Sequence, residues 1–206
     1  MSTIPTATIS RLVTYLRILT DLDFSGVKKT SSDHLAEEAQ VSAFQVRKDL
    51  AYFGRFGTRG TGYLVPMLRR EVRRILGLTR PWNVVIVGMG RLGQAIADYP
   101  NFYQYDFSLC GFFDIDPEKA GDQVRDEEIM HPRDMPRIVK ERDIDIGFLT
   151  VPQGAAQQAA DQIVAAGIGG ILNFAPSVIN VPEEVHVESV DFMAGLMRLS
   201  FYRQNR

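Results

Sequence analysis

Hydrophobic positions along this chain change rhythm near residue 80. Before it they recur every three or four residues; beyond it they gather in short dense runs. Ile9, Leu12, Val13, Leu16 and Leu19 mark the inner face of a first helix. A second is predicted after Thr30-Ser31-Ser32, with Asp33 in its first turn and Leu35 and Ala39 turned inward. A third starts at Ser42, where Ser42-Ala43-Phe44-Gln45 has the capping-box pattern, and is expected to end at Gly54. A fourth runs from Pro66 to about Leu76, with Gly77 as its stop. Between the third and fourth, residues 55–63 carry glycines at 57, 60 and 62 and read as a tight hairpin.

Apolar runs at 84–87, 107–113, 144–151, 170–174 and 185–190 then alternate with helical stretches, as strands of a parallel sheet covered on both faces do. The expected fold is α/β: a winged-helix domain at residues 1–77, a linker at 78–82, a Rossmann-like parallel-sheet domain at 83–190 and a C-terminal helix at 191–206.

Charge sharpens this division. The net charge of −2 hides a first 80 residues with 13 basic against 7 acidic side chains, and a remainder with 10 against 18. Either the first domain meets a polyanion, or solvated charges differ between the two domains by chance. The single cysteine, Cys110, excludes an internal disulfide and a multi-cysteine zinc site; no metal is expected. With no signal pattern and no apolar run of bilayer length, the protein is expected in the cytoplasm.

The second and third helices, joined by a turn at Gln40-Val41, have a helix-turn-helix outline. Val46, Leu50 and Phe53 are spaced to bury one face of the third helix, which leaves Phe44, Gln45, Arg47, Lys48 and Ala51 outside. Such a face suits the major groove, where Arg or Lys pairs guanine and Gln pairs adenine. The hairpin would be a wing, with Arg59 at its tip for a narrow minor groove and Gly60 and Tyr63 beside it. Arg69, Arg70, Arg73 and Arg74 on the fourth helix are placed either for the sugar-phosphate backbone or for domain packing.

Residues 83–87 lead into Gly88-Met89-Gly90-Arg91-Leu92-Gly93 and a helix, the dinucleotide-binding fingerprint in its proper context. Gly88 serves the tight turn, Gly90 the approach of a pyrophosphate, and Gly93 the helix–strand contact. Asp114 ends the next strand, 21 residues after Gly93, where a carboxylate holds ribose hydroxyls and repels a 2′-phosphate; NAD(H) is favoured over NADP(H). Asp116 either shares that role or caps the turn at Pro117. Thr150-Val151-Pro152 and Asn173-Phe174-Ala175-Pro176 close later strands and are expected to line the nicotinamide half of the crevice, or to be ordinary strand-to-helix turns. The 126 residues from Pro81 leave no room for a substrate domain, and His34, His131 and His186 fall at no predicted strand-end crevice. Binding without turnover is the simpler reading, with no catalytic residues.

These segments together resemble the Rex family of redox-sensing repressors. The likeness runs through Ile9-Ser10-Arg11-Leu12, residues 44–50, Tyr52-Phe53-Gly54, Gly57-Thr58-Arg59-Gly60, Gly62-Tyr63, residues 87–93, Gly111-Phe112-Phe113-Asp114, residues 173–176 and Val190-Asp191-Phe192. The resemblance implies a homodimer that binds an inverted-repeat operator and is released by NADH, with NAD⁺ bound more weakly. It also implies an exchanged C-terminal helix, Tyr99 and Phe192 near the nicotinamide, and Arg17 and Asp191 in a redox-sensitive contact between domains. Two alternatives stay open: a small NAD-dependent oxidoreductase, and a regulator that binds CoA or another nucleotide.

Overall fold

The computed structural model describes residues 4–57, 62–100 and 102–205. Its packing divides the chain into two units, Met1–Arg80 and Pro81–Arg206.

In the first unit, helices α1 (Thr6–Phe24), α2 (Ser32–Glu38), α3 (Ala43–Ala51) and α4 (Val65–Ile75) enclose one core. Leu12, Tyr15, Leu16 and Leu19 of α1 meet Leu35 of α2, Val46 and Leu50 of α3, and Val65, Leu68 and Val72 of α4. Val13, expected on the inner face, is 39% exposed, because Tyr15 fills the α1 stripe in its place. Ser31 caps α2 by accepting from His34 N, and Ser42 caps α3 by accepting from Gln45 N. The left-handed residue Gln40, φ +53°, turns the chain between them.

Two local expectations are corrected. The capping box is half made: the Gln45 amide turns from the helix start to Asp49 Oδ1, 2.8 Å away, because a buried carboxylate is the stronger acceptor. Helix α3 ends at Ala51 with Tyr52 as its cap, three residues before Gly54. Of the expected hairpin, strand β2 (Tyr63–Leu64) pairs antiparallel with β1 (Lys29–Thr30), ahead of α2, residues 55–57 lie in no strand, and residues 58–61 lie outside the described residues.

The second unit is a seven-stranded sheet in the order β5-β6-β4-β3-β7-β8-β9. Its strands are β3 (Trp82–Val87), β4 (Phe107–Phe113), β5 (Gln123–Val124), β6 (Glu127–Met130), β7 (Ile144–Leu149), β8 (Gly170–Asn173) and β9 (His186–Ser189). All neighbours run parallel except β5 and β6. Leaving out β5, the order is that of a doubly wound dinucleotide fold, whose direction reverses at β3. Strand alternation supplies the two covered faces. Val85 and Val87 of β3 point into one core with Phe113, Leu149, and residues of α6 (Met135–Arg142) and α7 (Ala156–Ala165). Val84 and Ile86 point into the other with Met89, Phe112, Phe148 and Ala97 of α5 (Arg91–Ala97). Of the residues read as a linker, Leu78 packs on the first core and Trp82 begins β3. Helix α8 (Phe192–Gln204) closes the described chain and has no buried residue.

Candidate nucleotide cleft and nucleic-acid interface

At the carboxyl ends of β3, β4 and β7 the second unit opens a cavity of about 640 Å³. The fingerprint forms its floor. Gly88 takes φ +103°, and a Cβ there would lie 2.7 Å from Val151 Cγ1, so only glycine fits the turn. A Cβ on Gly93 would collide with Gly88 O, which is why the first turn of α5 can lie against β3. A Cβ on Gly90 would meet nothing within 4 Å, so its backbone faces open space. The Thr150 hydroxyl fastens this turn, lying 2.7 Å from Gly88 O and 3.0 Å from Val87 O.

One wall is polar. Asp114 is 9% exposed, and its Oδ2 accepts from Met89 N and Lys119 Nζ, each at 2.8 Å. Its Oδ1 accepts from Asp116 N at 2.9 Å. Burial pushes this carboxyl up, but the hydrogen bonds from Lys119, Asp116 and Met89 outweigh it and hold the group below the ordinary carboxylate range. Asp116 spends its own Oδ1 on Glu118 N, at 3.0 Å, and so caps the turn. The opposite wall is apolar, with Val151, Pro152, Phe174 and Pro176.

Of the residues expected to hold a cofactor, Gly88, Gly90, Arg91, Leu92, Asp114, Thr150, Val151, Pro152, Phe174 and Pro176 line this cavity. Met89 is fully buried in the core shared with Phe112, although its N–H fixes Asp114. Asn173 and Ala175 are buried as well; the Asn173 amide donates to Ser177 O and accepts from Ala175 N, bracing the loop. Tyr99 lies beyond the end of α5, its ring edge-on to Phe102, and Phe192 opens α8 with 76% of its surface exposed. Sequence reasoning missed Lys119. The signal was there: a lysine five residues past Asp114, across a turn that Pro117 closes tightly.

On the first unit, Phe44, Arg47 and Lys48 lie exposed on the outer side of α3. Arg47 donates to Ser32 Oγ at 2.9 Å, and Tyr63 sits half-buried on β2. Gln45 is half-buried, and its side-chain amide donates to Asp49 Oδ1 at 2.8 Å. Arg59 and Gly60 lie outside the described residues. Arg17 is exposed on α1; Asp191 caps α8 by accepting from Ala194 N at 3.0 Å.

Asp49 was also missed. It is fully buried on the inner side of α3 and accepts from Arg11, Thr8 and Tyr15 of α1 as well as from Gln45. Burial raises its carboxyl, and these donors more than reverse the effect, leaving it below the ordinary range. The same burial and the hydrogen bond to Asp49 push the Tyr15 phenol up.

The chain is similar to known proteins over both units. Residues 3–51 match a family model described as a putative DNA-binding protein N-terminus, and residues 79–177 one described as a CoA binding domain. The redox-sensing transcriptional repressor Rex of Thermus thermophilus is 63% identical over 96% of this chain and 93% of its own. A crystal structure of RSP with β-NAD⁺ and operator DNA is 41% identical, covers 100% of this chain and 94% of its own, and superposes with a TM-score of 0.93. The structure of RSP with β-NADH is 40% identical, covers 100% of this chain and 96% of its own, and has a TM-score of 0.88. The chain belongs to the Rex family of redox-sensing transcriptional repressors.

Proposed function

We propose that this chain is a transcriptional repressor, not an enzyme, which binds operator DNA as a homodimer and is released when NADH fills the cleft. The observation that carries the reading is the end-to-end match to a Rex-family repressor solved with operator DNA and with each form of the dinucleotide.

In the second unit, Gly88 and Gly90 bring main chain to the pyrophosphate and Asp114 receives the adenosine ribose. The reduced pyridine ring is neutral and the oxidised one cationic, so the wall of Val151, Pro152, Phe174 and Pro176 favours NADH over NAD⁺. In the first unit, Phe44, Arg47 and Lys48 enter the major groove. Arg59, Gly60 and Tyr63 serve the wing, with Arg59 at the minor groove. Gln45, which also holds Asp49, completes the base-facing set on the same helix.

Helix α8 supports the dimer. Phe192, Leu196 and Leu199 follow one stripe and Met193, Met197 and Phe201 another, and all six are exposed. A helix apolar on more than one side belongs between two surfaces. Exchanged between protomers, it would carry Phe192 towards the nicotinamide, beside Tyr99, and Asp191 into a contact with Arg17. Preference of NADH for one dimer state then moves the two reading heads away from the half-site spacing. A swing from almost all bound to almost all free takes about 5.5 kcal/mol of differential affinity.

A CoA-type ligand is the second reading, favoured by the family model over residues 79–177. Its ribose carries a 3′-phosphate, which the ionised Asp114 opposes.

The test is a mobility shift on a palindromic duplex at fixed salt, with NAD⁺, NADH and CoA in parallel. NADH is expected to release the duplex while NAD⁺ and CoA leave it bound. No DNA binding, or release by CoA alone, ends this reading.

A further inference from the structure

The first residue of α2 touches a cation on α3. Ser32 Oγ accepts from Arg47 Nη1 at 2.9 Å, across 15 positions of chain, and both residues line a cavity of about 740 Å³ beside Arg55 and Tyr63. Ser32 stands on a fixed main chain. Its neighbour Ser31 caps α2 by accepting from His34 N at 3.1 Å. Thr30 Oγ1 lies 3.0 Å from His34 Nδ1, and Thr30 pairs in β1 with Tyr63 of β2. Leu35 and Ala36 of α2 are buried in one core with Val46 and Leu50 of α3. Arg47, by contrast, is long and exposed, and such a side chain loses rotamer freedom when a ligand fixes it.

The partner's chemistry is unusual within this unit. Arg11, Arg69 and Arg74 are held by Asp49, Asp23 and Glu71, and each spends its charge on a carboxylate. Arg47 is held by a neutral hydroxyl, which fixes its direction without neutralising it. The bond occupies Nη1. The fork of Nε and Nη2 has no partner among the described residues, and a guanidinium fork matches O6 and N7 of guanine.

We propose that Ser32 is a positioning residue for operator recognition: it acts through Arg47, aiming that guanidinium at a base edge before DNA arrives. The inference rests on the operator-reading role proposed above for α3. Without the hydroxyl, Arg47 keeps its charge and still attracts the phosphate backbone. What is lost is discrimination between bases, not affinity for DNA in general.

The experiment measures binding of the full chain to three kinds of duplex over a range of salt. These are the palindrome, palindromes with one base pair changed in each half-site, and an unrelated sequence. The proteins are wild type, Ser32→Ala, Ser32→Thr, Arg47→Ala and the double variant Ser32→Ala with Arg47→Ala, each checked for folding by a thermal melt. In Ser32→Ala, preference for the correct base pair at one position of each half-site should fall about fivefold, which corresponds to about 1 kcal/mol. Its affinity for the unrelated duplex and its salt slope should stay at the wild-type values. Ser32→Thr should keep the wild-type preference. Once Arg47 is replaced, loss of the Ser32 hydroxyl should change nothing further. Three results overturn the proposal and leave the repressor reading standing: wild-type discrimination in Ser32→Ala, a lowered salt slope in that variant, or an effect that adds in full to that of Arg47→Ala. Wild type that binds the palindrome no better than the unrelated duplex refutes the operator reading itself.

Discussion

Asp49 ties α3, the proposed operator-reading helix, to its scaffold. One fully buried carboxylate joins three residues of α1 to α3, and its Oδ1 takes Arg11 Nη2 at 2.7 Å while its Oδ2 takes the Tyr15 hydroxyl at 2.9 Å. Removing one member of a buried ion pair strands the other, typically at roughly 3–5 kcal/mol. The Arg11 side chain keeps 26% of its surface in water, which softens the loss. Asp49→Ala is therefore expected to cost about 3 kcal/mol in urea denaturation and to weaken operator binding, with NADH affinity unchanged, because the cleft lies in the other unit. Equal loss of operator and NADH binding would contradict that division. The pH dependence has a definite sign. Asp49 titrates lower when folded than when unfolded, so the unfolded chain binds more protons across the interval between the two values. Its stabilisation is complete above the unfolded value of about 3.9 and drains away as pH falls below it. Acid unfolding followed by circular dichroism should show a shallower slope below that value in Asp49→Asn than in wild type.

The element β3–turn–α5 separates what holds the fold from what holds the ligand. A methyl group on Gly93 would strike Gly88 O and push α5 off the sheet, whereas one on Gly90 meets only open space. Gly93→Ala should lower the melting temperature, with an overpacking cost of roughly 1–3 kcal/mol, and Gly90→Ala should leave it unchanged while abolishing NADH binding. Calorimetric melts and NADH titrations of the two variants check this; Gly90→Ala that still binds NADH would mean the pyrophosphate does not approach there. This element was legible in the sequence because every contact it needs is local, from strand to glycine turn to helix. Features made by distant residues were not. The α1 donors on Asp49 come from 34 to 41 positions away, and the β1 partner of β2 is more than 30 residues upstream, so no window along the chain could pair them. Strand β6 escaped because Glu127-Glu128-Ile129-Met130 buries only Ile129 and lacks the dense apolar run that marked the central strands. Lys119 escaped because it lies in a turn, where charged residues are the common case.

At the scale of the whole molecule, α8 asks for a partner. Its apolar residues occupy more than one side and none is buried, while Ile146, Leu172 and Phe174 on the α5 side of the sheet are only partly covered. The proposed homodimer would answer both, each protomer lending the helix that the other receives. Symmetry ties this to DNA. Two identical reading heads facing an inverted repeat must sit about 34–36 Å apart, or a multiple of that, and a monomer has no second head to place. Leu196→Asp together with Leu199→Asp puts two carboxylates where an exchanged helix would be enclosed, and unpaired buried charges are costly by several kcal/mol each. Sedimentation velocity should show the double variant as a monomer at concentrations where wild type is a dimer. Its affinity for the palindromic duplex should fall at least a hundredfold, to the level of a single half-site, since the affinity gained by linking two heads is of about that size. A monomer that still binds the palindrome with full affinity would show that one head suffices, and the coupling of cleft to operator would then have to run within a single chain.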